Sequence, residues 1–270
     1  MNWREKLVTI TSQNNSLLCV GLDTDKGKIP TFLLETSKNP LFDFNKAIID
    51  ATKDLVCTYK LNMAFYEAAG KKGIEALEKT IQYIPHNIFI ILDGKRNDIG
   101  NTAQKYAQSL FDTLKADAVT INPYLGKDGV SPFLDYKEKC SFILCRTSNP
   151  SAGDFQDLLV SSTPVYQIVA RKIREWDTNK NCGAVVGATY PEELKTVRTL
   201  LGDDIPILIP GVGKQGGDVE KTVRNGTNSH GEMALINSSR EIIFAGNQQD
   251  FAEQARKKAE SVRNQINNYR

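Results

Sequence analysis

Ile88-Phe89-Ile90-Ile91-Leu92-Asp93-Gly94-Lys95-Arg96-Asn97-Asp98 sets an unbroken apolar run directly against two carboxylates and a primary amine. A run this apolar suits a strand covered on both faces, not one with a wet side. Alternate residues of a strand share a face, so Asp93 and Lys95 are expected to point the same way where the strand stops. Buried charge is costly unless paired. The stretch reads either as a strand ending in a charged site, or as a helix N-cap followed by a solvated salt bridge. The rest of the chain decides.

Seven more runs resemble this one: Leu17–Asp23, Val56–Asn62, Ala118–Pro123, Ser141–Thr147, Gly183–Thr189, Pro206–Gly213 and Glu232–Ser239, with the quoted strand itself spanning Asn87–Lys95. Each is short, apolar and without clear alternation, as parallel strands covered on both sides should be. Helical patterns fill the gaps at Phe44–Leu55, Ala64–Ile84 with a break at Gly70, Asn97–Leu114, Thr163–Trp176, Pro191–Leu201 and Gln248–Ile266. In Asn97–Leu114 the apolar residues Ile99, Ala103, Tyr106, Ala107, Leu110, Phe111 and Leu114 follow a helical period. Pro164 and Pro191 sit where the first helical position is expected, and Gly202 where a helix should stop. Eight strand–helix alternations predict an α/β fold: one (β/α)8 barrel over residues 1–270, with an extra N-terminal helix. An open doubly wound sheet is the alternative.

Bulk properties fit an ordinary soluble globular protein. The chain has 270 residues, 40% hydrophobic and 24% charged, with a net charge of +2. That balance points to neither nucleic acid nor an acidic membrane as partner. Met1-Asn2-Trp3-Arg4-Glu5-Lys6 leads straight into an amphipathic helical pattern without a secretory core, and no apolar run approaches a membrane span. Cys19, Cys57, Cys145 and Cys182, four of five cysteines, fall in or beside predicted strands without metal-type spacing. They are expected to be small buried residues in a reducing compartment, which with the missing leader implies the cytoplasm.

In this register polar residues gather at the strand C-terminal ends, where barrel enzymes place catalysis. Asp23 ends the first strand, Lys60 the second, Asp93 and Lys95 the third, and Thr147-Ser148-Asn149 the fifth. Pro210-Gly211-Val212-Gly213-Lys214-Gln215-Gly216-Gly217 follows the seventh, and Asn237-Ser238-Ser239-Arg240 the eighth. Loops after the last two strands often bind phosphate through backbone N–H groups. Glycines let the backbone approach the oxyanion, and Arg240 adds a bidentate donor. The alternative is a flexible turn followed by a surface arginine. The GxGxxG match at Gly211–Gly216 comes at the seventh strand and does not open a βαβ unit, so dinucleotide binding is not inferred. His86 and His230 fall on the opposite face, Tyr59, Phe65 and Tyr66 are expected to pack, and neither a zinc cluster nor a Ser–His–acid set is visible.

Asp93-x-Lys95-x-x-Asp98, followed by Ile99 and Thr102, resembles the signature of the orotidine 5′-phosphate decarboxylase family, in its longer bacterial branch. Further matches are Gly21-Leu22-Asp23, Lys60 with Ala64-Phe65-Tyr66-Glu67, Thr147-Ser148-Asn149-Pro150, Pro210-Gly211-Val212-Gly213 with Gln215-Gly216-Gly217, and Asn237-Ser238-Ser239-Arg240. The resemblance runs from about Leu18 to Ala245. It implies a (β/α)8 barrel that converts orotidine 5′-monophosphate to UMP and CO2 in de novo pyrimidine synthesis, with no metal or organic cofactor, as a homodimer with shared active sites. By the same resemblance Lys95 donates the proton to C6, Asp93 lies against the leaving carboxylate, and Lys60 bridges Asp93 and the ribose. Asp98 enters the partner's site and Thr102 faces it. Asp23 contacts the ribose and Ser148 the pyrimidine edge. Gln215 and Arg240 hold the phosphate, with Pro210 and Ser239 in the same substrate-binding segments. Leu61-Asn62-Met63 and Arg146 are positions at which the family pattern is not recognised.

Carboxylates beside Lys95 favour its ammonium form, which suits an acid and not a Schiff-base nucleophile. Two other readings stay open. One is a Mg²⁺-dependent sugar-phosphate lyase of the same barrel superfamily, such as a hexulose-phosphate synthase or keto-gulonate-phosphate decarboxylase. The other is a non-catalytic barrel that binds a nucleotide phosphate.

Overall fold

A computed structural model describes residues 1–212 and 217–270. Eight parallel strands close into a barrel: β1 (Leu18–Gly21), β2 (Thr58–Asn62), β3 (Phe89–Arg96), β4 (Ala118–Ile121), β5 (Cys140–Arg146), β6 (Cys182–Val186), β7 (Ile207–Pro210) and β8 (Ala234–Ser238). β1 pairs with both β2 and β8, with Leu18 opposite Ile236 and Cys19 opposite Asn237. That closure excludes the open doubly wound sheet. Ile91, Leu92, Val119, Ile143, Ala184 and Ile236 are all fully or almost fully buried, as expected of strands sandwiched between the barrel interior and a helical coat.

Helix Trp3–Gln13 is the extra N-terminal element. Asn2 caps it and Glu5 completes a capping box. It lies across the N-terminal ends of the strands. Lys6 Nζ meets Asp117 Oδ2 at 2.6 Å just before β4, and Arg4 donates to the Asp204 carbonyl, before β7.

The helices differ from the sequence reading in instructive places. The break at Gly70 is real: helices Met63–Ala68 and Gly70–Tyr83 meet there at a φ of +63°, which glycine adopts without strain. Pro191–Leu201 ends at Gly202 as expected. Pro164 is not the first helical residue. It is extended, pairs across a two-residue ribbon with Leu159, and the helix begins at Val165. The helix expected from Asn97 begins at Gly100 and widens into a π-helical stretch over Gln108–Thr113. Ala103, Ala107, Leu110 and Phe111 are buried, whereas Ile99, extended and ahead of the first helical residue, and Tyr106, in the α-helical part, are 57% and 37% exposed. The helix at Phe44 starts earlier, at Pro40 behind the Asn39 cap, and helices Lys127–Leu134 and Val219–Gly226 were not anticipated. All five cysteines are free and buried.

Candidate active site

Three strands bring the central charges together. Parallel pairing sets Gly21 beside Lys60, and Asn62 beside Asp93. Lys60, expected at a strand end, lies in the middle of β2 and is 3% exposed. Its Nζ lies 3.1 Å from Asp93 Oδ2 and 3.4 Å from Asp23 Oδ1. Lys95 Nζ lies 2.7 Å from Asp93 Oδ1. Asp93 is therefore held between two ammonium groups, one buried and one facing the opening.

Lys95 reaches this position by an irregular route. The β3–β4 register shifts between Leu92 and Arg96, and Lys95 takes a φ of +45°. A left-handed lysine costs about 1–3 kcal/mol and persists only where its surroundings enforce it. Thr120 on β4 supplies the enforcement: its Oγ1 accepts from Lys95 N at 3.0 Å and donates to Asp93 Oδ1 at 2.7 Å. Thr120 went unnoticed in the sequence because a lone threonine in an apolar strand carries no distinctive signal.

Burial drives the Asp93 carboxyl upward, but the charges of Lys60 and Lys95 and the hydrogen bonds from Lys95 and Thr120 outweigh it. The group is held well below the usual carboxylate range. For Lys60, burial favours the neutral amine, and the Asp23 and Asp93 carboxylates more than reverse that, lifting it well above the ordinary lysine range. Both groups are charged across the physiological range.

Above these charges opens a cavity of about 490 Å³. It gathers Asp23, Lys60, Asp93, Lys95, Ser148, Pro210, Ser239 and Arg240, drawn from six of the eight strand ends. Asp23 lies just past β1, and its loop is anchored where Tyr66 Oη donates to the Leu22 carbonyl. Gly21 is required by close approach: a Cβ there would come within 1.8 Å of Ser239 Oγ. Gly211 has a φ of +102°, open to glycine, where the chain turns off β7. Thr120, Asn62, Gln156 and Asn237 also line the cavity. Asn237, placed by the sequence just after the eighth strand, lies inside β8.

Asp98 and Thr102 do not line the cavity of their own chain. Asp98 accepts from the backbone of Ile99, and Thr102 is exposed on helix Gly100–Ala107. Gln215 lies outside the described residues. His86 and His230 are exposed, away from the cavity, and Tyr59 and Tyr66 are fully buried in the packing.

A closed parallel barrel with a lysine–carboxylate cluster at the strand C-terminal ends, beside a glycine-bearing β7 loop and an arginine after β8, defines a (β/α)8 enzyme site. A profile of the orotidine 5′-phosphate decarboxylase / HUMPS family matches residues 16–255. The chain is 51% identical over 274 aligned residues to an orotidine 5′-phosphate decarboxylase of Cellvibrio japonicus, covering 99% of this chain and 98% of that one. Among solved structures, Leishmania donovani OMP decarboxylase superposes with a TM-score of 0.83 at 34% identity, covering 97% of this chain and 99% of that one. Leishmania donovani UMP synthase superposes with a TM-score of 0.87 at 35% identity; the match takes 99% of this chain but only 57% of that longer one. The chain belongs to the orotidine 5′-phosphate decarboxylase family.

Proposed function

We propose that this protein decarboxylates orotidine 5′-monophosphate to UMP and CO2, the closing step of de novo pyrimidine synthesis. The observation that carries this reading is the Lys60–Asp93–Lys95 chain of contacts, at 3.1 and 2.7 Å, on the floor of a cavity rimmed by Arg240. In this reading residues 1–270 act as one catalytic domain in the cytoplasm.

The bond from C6 to the carboxylate carbon breaks, and its electron pair stays on C6. No cofactor receives those electrons, so the site must stabilise the carbanion electrostatically. Lys95, beside C6, does so and then transfers an N–H proton to the carbon, leaving a neutral amine that solvent reprotonates. Asp93 holds Lys95 in place and lies against the substrate carboxylate. Two unit charges about 4 Å apart repel by roughly 4 kcal/mol at an effective dielectric of 20. That repulsion disappears as neutral CO2 leaves, while the attraction to Lys95 remains.

Lys60 keeps Asp93 ionised and, with Asp23, reaches the ribose. Ser148 meets the pyrimidine edge. Pro210, Ser239, Arg240 and Gln215 surround the phosphate. Remote phosphate binding is then available to offset the cost of ordering the site. Asp98 and Thr102 complete the site of a second subunit, which makes the working form a homodimer with shared sites. Their position outside their own cavity, on a surface that also exposes Ile99, supports this.

Lys60 Nζ pairs with both Asp23 and Asp93, the carboxylates a divalent ion would need. That favours the metal-independent reaction over a Mg²⁺-dependent sugar-phosphate lyase. The deciding assay follows loss of orotidine 5′-monophosphate absorbance with EDTA present, for wild type and Lys95→Ala. Turnover by wild type and none by Lys95→Ala is expected. Loss of wild-type turnover on chelation would favour the lyase, and UMP binding without turnover the non-catalytic barrel.

A further inference from the structure

Arg146, at the end of β5, is a charged group buried to 2% exposure. Its carboxylate partner is Asp157, at 3.0 Å, and the Asp157 side chain is 47% exposed. Arg146 Nε has no hydrogen-bond partner. Burying a guanidinium this way is costly, and an apolar side chain of similar volume would fill the space at lower cost. Packing alone therefore does not account for it.

Its contacts converge on one segment. Arg146 Nη1 donates to the Thr147 carbonyl at 3.2 Å and to Gln156 Oε1 at 3.3 Å. Gln156 in turn accepts from Thr147 N at 2.8 Å and donates to Thr147 Oγ1 at 2.8 Å. Thr147 Oγ1 donates to Asn149 Oδ1 at 2.7 Å. Thr147 is thus held at its N–H, its carbonyl and its hydroxyl. On the other side the guanidinium lies over the Tyr190 ring at 3.9 Å, and the Arg146 carbonyl accepts from Gly187 N at 2.8 Å. Gly187 is packed so tightly that an added Cβ would come 2.7 Å from Ser148 Cβ. Thr147, Ser148, Asn149 and Gln156 line the cavity; Arg146 does not.

We infer that Arg146 is a positioning residue that, through Gln156, holds the Thr147–Asn149 wall in the shape that receives the pyrimidine ring. The inference rests on reading the cavity as a nucleotide site. Arg146 touches no substrate atom. It stiffens the wall facing the base and leaves the phosphate end, formed by the loops after β7 and β8, to other residues. Hydrogen bonds to charged groups in a buried network are worth more than isolated neutral ones, so removing this one should loosen a whole wall.

The test measures the affinity of the full-length protein for UMP and for ribose 5-phosphate, which lacks the base. Arg146→Met preserves volume and removes every donor. It should weaken UMP binding about 10–100-fold, the effect of losing a charge-assisted hydrogen bond, and leave ribose 5-phosphate binding unchanged. Gln156→Met, with Arg146 retained, should give the same selective loss. Arg146→Lys, which keeps the charge but loses the fork to Gln156 and Thr147, should give a smaller selective loss and decides the matter if Arg146→Met does not fold. Equal loss of both ligands, or loss of neither, in folded variants would overturn the positioning role while leaving the functional reading intact. Wild-type protein that binds ribose 5-phosphate but not UMP would overturn both.

Discussion

Thr120 Oγ1 and Asp93 Oδ1 are 2.7 Å apart across the β3–β4 pair, and the same hydroxyl accepts from the backbone N–H of Lys95. One neutral side chain thus holds both the anion of the site and the strained turn that carries Lys95. Thr120→Val keeps the shape and removes the hydroxyl. Steady-state kinetics should show kcat lower by about 10–100-fold, the cost of a lost hydrogen bond to a charged group, with KM little changed. Thr120→Ser should retain most of the rate. A Val variant at wild-type rate would disprove the clamp.

Among the described residues, Lys60 alone pairs with both Asp23 and Asp93. Lys60→Met leaves two largely buried carboxylates, at 16% and 9% side-chain exposure, facing each other's field. Removing one partner of such a group costs about 3–5 kcal/mol. Urea denaturation should therefore show a lower midpoint for Lys60→Met. The double variant Lys60→Met with Asp93→Asn should recover part of the loss.

The two shifted groups set a pH window. Asp93 titrates lower in the folded protein than in the unfolded chain, so its stabilising effect is complete above about pH 4, the unfolded aspartate value. It is lost as the pH falls through the folded value. Lys60 titrates higher when folded, so its effect is complete below about pH 10 and is lost as the pH rises through the folded value. The stability difference between wild type and the double variant Lys60→Met with Asp93→Asn, in which neither shifted group remains, should therefore stay flat from about pH 5 to pH 9. A slope inside that range would contradict the charge assignment.

Gly21→Ala introduces a methyl group 1.8 Å from Ser239 Oγ and 2.9 Å from its Cβ. Relief requires Ser239 to move, and Arg240 with it. Overpacking of this kind costs about 1–3 kcal/mol, and part of it should appear as a raised KM. Ser239→Ala in the same chain should lower KM again. Crystals of Gly21→Ala with Ser239 unmoved would contradict this account.

Arg240 is exposed at the cavity rim, away from the charged floor. Arg240→Ala should raise KM about 10–100-fold, as loss of a charge-assisted contact to phosphate would, and change kcat far less. Unchanged kinetics would remove Arg240 from the phosphate site.

The barrel was legible because the strands are short apolar runs, several of which stop at a charge or a glycine, as at Leu92-Asp93 and Pro210-Gly211. Lys60 was legible as a charge in an apolar run, but was expected at the strand end and not in its middle. Strand alternation correctly brought Asp93 and Lys95 together, but the contact is made through a register shift and a left-handed lysine that no periodicity encodes. Ile99 was placed on the buried face because periodicity does not mark where a helix starts: it is the extended, exposed residue ahead of Gly100. Thr120 and Gln156 act only through partners distant in sequence, and polarity alone does not reveal such partners.

The five buried thiols make the chain its own sensor of opening. Burial pushes the Cys57 thiol up to about 11 and that of Cys145 up to about 12, so neither forms thiolate near neutrality. Alkylating reagents must wait for the barrel to breathe. The rate at which iodoacetamide modifies the native protein therefore reports its opening equilibrium, with no engineered label.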